Sequence, residues 1–140
     1  MLVFKATREI KAAFDAKGIK YRVIDKERVS YIEASVRGKV APSVDIDFFS
    51  SDDDNDVSVR VVAILRAPDN RLGQILVAIN ECNNRFRFVK FVLDKDRDVN
   101  LEFDMPLRTT NPGDVAVEML IRIMKIIDDA YPILMKSVFG

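Results

Sequence analysis

Two pairs of carboxylates stand at a spacing that acid–base chemistry can use. Asp45 and Asp47, and Glu102 and Asp104, are each separated by one residue within stretches that alternate apolar and polar side chains. On a strand such residues share a face, ~7 Å apart, and hydrolases set acid and base carboxyl groups at that order of separation. The competing reading is the solvent face of an antiparallel sheet, which Asp98 and Asn100 continue in the second case. That reading is preferred.

Two acidic runs point to a different chemistry. Asp52-Asp53-Asp54-Asn55-Asp56 and Asp94-Lys95-Asp96-Arg97-Asp98 place oxygen donors at the alternating spacing of a calcium loop. Such a loop needs Gly at its sixth position and Glu at its twelfth. The first run offers Val57 and Ala63 there, the second Val99 and Met105. Both runs are read as turns, which Asp and Asn favour, and no metal or cofactor is assigned.

The remaining inventory is thin. There is no His in 140 residues, which removes triads, imidazole bases and most zinc sites. The one Cys, Cys82, lies on an apolar helix face near a C-terminus, where nothing activates a thiol. No glycine-rich phosphate loop occurs. The run Asn84-Arg85-Phe86-Arg87-Phe88-Val89-Lys90-Phe91 has the aromatic spacing of an RNA-binding strand, but Arg85 and Arg87 replace its small residues. Lys plus Arg and Asp plus Glu are equal at 22 each, so no basic excess draws phosphates or anionic lipid. The run is therefore read as a strand with aromatic core packing.

These residues need elements to position them. Val3, Ala6, Ile10, Ala13 and Phe14 predict a helix over 3–17, closed by Gly18. Residues 19–24 form an extended lead-in, and strands follow at 29–37, 43–49 and 57–65, with a turn at 50–56. Pro68-Asp69 stops the third strand and caps a helix over 70–83, whose buried face carries Leu72, Ile75, Leu76, Ile79 and Cys82. A hairpin comes next, with strands Phe86–Leu93 and Asp98–Met105. The final helix follows 108–114, and Pro132 is expected to kink it or split off a terminal piece. The order α-β-β-β-α-β-β-α is that of an α+β domain: one antiparallel sheet of about five strands with three helices, spanning 1–140.

The last helix carries more apolar residues than one buried face requires. Between Val115 and Met135 only Glu118, Arg122, Lys125, Asp128, Asp129 and Pro132 are not apolar. Ile121, Met124 and Met135 are the surplus. Three uses would absorb it: flanking by neighbouring helices, a self-association or partner surface, or a ligand cavity.

The C-terminal half resembles a known family. Asn80-Glu81-Cys82-Asn83-Asn84-Arg85-Phe86-Arg87-Phe88-Val89-Lys90-Phe91-Val92-Leu93-Asp94, Phe103-Asp104-Met105-Pro106-Leu107 and Asp129-Ala130-Tyr131-Pro132-Ile133-Leu134-Met135-Lys136-Ser137-Val138-Phe139-Gly140 are similar to YbjN-like proteins, labelled as bacterial sensory-transduction regulators. The resemblance covers residues 70–140 and implies the twisted sheet and three helices of type III secretion chaperones, commonly dimeric. It implies no enzyme activity and carries over no site residues. The expected function is a non-enzymatic regulatory or chaperone-like module. It would be a homodimer or hold a polypeptide partner, binding neither nucleic acid nor membrane. The alternative is a small-ligand sensor with an apolar pocket between the last helix and the sheet. One cysteine and no visible export signal predict a cytoplasmic setting.

Overall fold

Alternation of apolar and polar residues builds a sheet with one dry face. In the computed structural model, which describes residues 4–51, 55–108 and 110–140, the strands are β1 (Arg22–Asp25), β2 (Val29–Val36), β3 (Val44–Ser51), β4 (Asp56–Arg66), β5 (Lys90–Leu93) and β6 (Asp98–Pro106). They form one antiparallel sheet in the order β1-β2-β3-β4-β6-β5. Ile32 and Ala34 of β2, Ile46 and Phe48 of β3, Val57, Val59 and Val61 of β4, and Leu101 and Met105 of β6 are all buried on the same face.

Three helices cover that face: α1 (Lys5–Lys17), α2 (Leu72–Arg85) and α3 (Pro112–Phe139). α1 lies over β2 and β3, α2 beside β5, and α3 packs against both α1 and α2. Ile10 and Phe14 of α1, Ile75 and Cys82 of α2, and Ile123, Ile127 and Leu134 of α3 are completely or almost completely buried in one core. The predicted closure of α1 is present, with Gly18 left-handed at φ 67°. Gly113 lets α3 begin hard against α1, because a side chain there would run into the Glu9 carbonyl and Ala13. Inside the core the hydroxyls of Thr7 and Ser30 share a hydrogen bond of 2.7 Å, tying α1 to β2.

Several boundaries differ from the sequence reading. The sheet has six strands because the lead-in is itself a strand, β1, paired along β2. β3 and β4 extend into the expected 50–56 turn, and Asp52, Asp53 and Asp54 lie outside the described residues. Asp69 does not cap α2. It sits in a one-turn 3-10 helix and pairs with Arg97 instead. Leu76 is exposed, and the buried stripe of α2 is Ile75, Ala78, Ile79 and Cys82. α2 runs past the two asparagines to Arg85, and β5 begins only at Lys90, so Phe86–Val89 is a turn rather than a strand. Phe88 accordingly points to solvent instead of into the core, with φ 73°.

α3 is continuous through Pro132. Pro132 itself is exposed, so its ring meets solvent rather than the packed core. β4 carries a bulge between Val61 and Leu65, with Ala63 at φ 57°. The side chain of Asn100 fills the gap. Its Oδ1 accepts from the Ala63 N–H at 2.8 Å, which explains how a polar residue is almost fully buried there.

Candidate functional site

With the helices on one face, the other face of the sheet is open. Register aligns Arg22, Glu33, Asp47, Arg60, Glu102 and Lys90 in a single row across all six strands. Arg22 is paired with Glu33. Arg60 reaches Asp104 at 2.8 Å and Glu102 at 4.0 Å, and Lys90 reaches Glu102 at 3.6 Å. Beside the row, Tyr31 and Phe49 pack together with ring centroids 4.5 Å apart and planes tilted by 41°.

Asp47 is the exception in this row. It stands directly opposite Glu33 on one side and Arg60 on the other. The Arg60 guanidinium is turned away, toward Asp104 and the carbonyl of Val59 at 2.9 Å. The Oδ1 of Asp47 is buried with no hydrogen-bond partner. Burial, the hydrogen bond to Glu33 and the Glu33 charge push its carboxyl up to about 7, with Asp45 adding to the effect and Arg22 opposing it.

The Asp45–Asp47 and Glu102–Asp104 pairs lie on the open sheet face, as the solvent-face reading requires. Asp45 accepts from Ser35, and Glu102 and Asp104 share Arg60. Cys82 is buried, which pushes its thiol up to about 11 and leaves it inert. Asp94 directs its oxygens into its own turn. Oδ1 accepts from the N–H groups of Asp96 and Asp98 at 2.9 and 3.0 Å, and Oδ2 accepts from Asn100 at 2.8 Å. These bonds hold its carboxyl below the usual carboxylate range. Among the described residues no group of three or more metal-ligating side chains occurs.

Two further polar side chains do positioning work that sequence reading missed. Asp128, from the middle of α3, accepts from three successive backbone N–H groups, those of Lys39, Val40 and Ala41, at 2.6, 3.0 and 2.8 Å. The loop between β2 and β3 is thereby fixed to the helical layer, and the Asp128 carboxyl is held low. Asn83 of α2 binds the outer edge of β5, donating to the Phe91 carbonyl at 3.0 Å and accepting from the Phe91 N–H at 2.7 Å. No local motif marks either residue, because both bonds depend on tertiary placement.

The helical layer carries the apolar surplus. Glu118, Arg122, Lys125, Asp129 and Lys136 form the expected exposed stripe of α3. The neighbouring helices absorb much of the remainder, with Ile126 and Ile133 packed against the core. Ile121 is 55% exposed, and Met124 and Met135 are half-buried on the same flank of α3. On α2, Val77 is 71% exposed. It lines a groove of about 400 Å³ between α2 and the end of α3, with Arg71, Gln74, Glu81, Ile133 and Lys136. A cleft of about 560 Å³ lies between α1 and residues 107–113 and includes Lys5, Glu9, Arg108 and Asn111. Neither lies between α3 and the sheet. Phe88, 58% exposed, is stacked under Arg122 at 5.2 Å. No helix among the described residues is long and apolar enough to cross a membrane.

A family model, YbjN, described as "Putative bacterial sensory transduction regulator", matches residues 8–132. None of the curated proteins compared with the chain matches it.

Proposed function

The chain belongs to the YbjN family, and from that membership we propose that it is a non-enzymatic regulatory module that works by holding a polypeptide, in the first instance a second copy of itself. The observation that carries this reading is the exposure of large aliphatic side chains on the helical layer, Ile121 on α3 and Val77 on α2. Apolar groups of this size in open water favour association. Ile121, with Met124 one turn on and Met135 farther along the same flank of α3, supplies apolar surface for docking, and Val77 borders a groove that receives such surface. The chemistry of this reading is burial of apolar surface with no covalent step.

Sedimentation velocity across the micromolar range tests the reading, with Ile121→Glu and Val77→Glu as variants. A concentration-dependent dimer that either substitution converts to monomer supports it. A wild-type chain that stays monomeric, and that recovers no polypeptide from its source cells which either variant fails to recover, overturns it.

A further inference from the structure

We propose that Glu33 and Asp47 hold one proton between them, and that its loss hands the Arg60 guanidinium from Asp104 to Asp47, so that the open sheet face changes its charge and its ion pairing with pH.

The geometry leaves few alternatives. Glu33 and Asp47 are direct cross-strand partners, and like charges so placed repel. One Asp47 oxygen is buried without a donor. A carboxylate in that position lacks a hydrogen bond, whereas a carboxylic acid donates its proton to Glu33. The groups facing Asp47 are few. Glu33 lies on β2, with Arg22 behind it on β1. Asp45 lies on the same strand, and Arg60 on β4, with Glu102 and Asp104 beyond it on β6. Tyr31 is packed against Phe49. Arg22 is committed to Glu33. Arg60 is the one cation directly across the ladder from Asp47, and it is now bound to Asp104.

When the proton leaves, the pair carries two negative charges and Asp47 competes for Arg60. The guanidinium has five donors and one nitrogen anchored on the Val59 carbonyl. It can turn without leaving the sheet face. The expected midpoint is that of Asp47, about 7, so the change falls where small shifts in pH alter the population most. This inference does not depend on what the helical layer binds.

Carboxyl-carbon NMR titration of the whole protein tests it, together with the Nε–H resonance of Arg60. The supporting result is a step near neutrality at Asp47, with the Glu33 carboxyl carbon and the Arg60 resonance responding at the same midpoint. Asp47→Asn keeps an amide donor for Glu33 and should abolish the Arg60 step. Glu33→Gln should lower the Asp47 midpoint by at least about one pH unit, because the like charge is gone. If Asp47 titrates in the ordinary carboxylate range, or if Arg60 ignores the titration of Asp47, the proposal is wrong.

Discussion

The Asp128 carboxylate occupies the space into which a side chain at residue 38 would project, and Gly38 is what allows it to stand there. With no side chain at 38, the carboxylate closes onto the N–H groups of residues 39–41. The loop between β2 and β3 is therefore held by a helix far away in sequence.

That arrangement predicts a coupled pair of substitutions. Gly38→Ala should destabilise by about 2 kcal/mol, since the added carbon collides with Asp128 or displaces the loop. Asp128→Ala should lower the melting temperature by several degrees by leaving three N–H groups without their acceptor. In the Asp128→Ala background Gly38→Ala should cost much less. A thermal-denaturation double-mutant cycle measures this, and additive effects would contradict it.

The Asp47 carboxyl predicts an unusual pH dependence. Its value is raised in the fold from 3.8 to about 7. Between those limits the folded state holds a proton that the unfolded chain has released, so this group's contribution to stability falls as pH rises and levels off above neutrality. Asp94 and Asp128 act in the opposite direction and at lower pH. Their carboxyls are held low, so their contribution is present above the ordinary carboxylate range and lost as pH falls through it. Asp47→Asn should gain about 1–2 kcal/mol at pH 8, after solvent screening, and little at pH 5. Urea midpoints at the two pH values are the measurement, and equal gains at both would contradict it.

Cys82 should be unreactive in the native protein. Burial, with the negative charge of Glu81 adding to it, raises its thiol to about 11. A disulfide-exchange reagent at pH 8 should label it no faster than the protein opens, and at once in denaturant. Fast labelling of the native protein would place the thiol elsewhere.

Asn83→Ala should loosen the β5 edge and cost about 1 kcal/mol, because both backbone groups of Phe91 lose their side-chain partner. Hydrogen exchange should quicken first at the Phe91 amide. Unchanged protection at that amide would show that the bond contributes little.

Element order, fold class and the buried faces of β3, β4 and β6 were legible in the sequence because they follow from local alternation. Val57, Val59 and Val61 announce their face, as do Val99, Leu101 and Met105. β2 was harder, since small Ser30 and Ala34 occupy its core positions. The aromatic run at 86–91 was read as a strand on composition. The extension of α2 to Arg85 and the left-handed Phe88 delay β5 to Lys90, and no residue type requires either. The individual members of the charged row were visible, but their alignment was not. A row across six strands depends on five registers, and each register is set by packing that local sequence does not encode.

The Asn83 amide lies along the β5 rim of the sheet, where it takes up both backbone groups of Phe91. Those are the groups that a strand from another chain would need in order to add beyond β5 at that position. The side chain that fastens α2 to β5 thus also blunts that edge against strand addition.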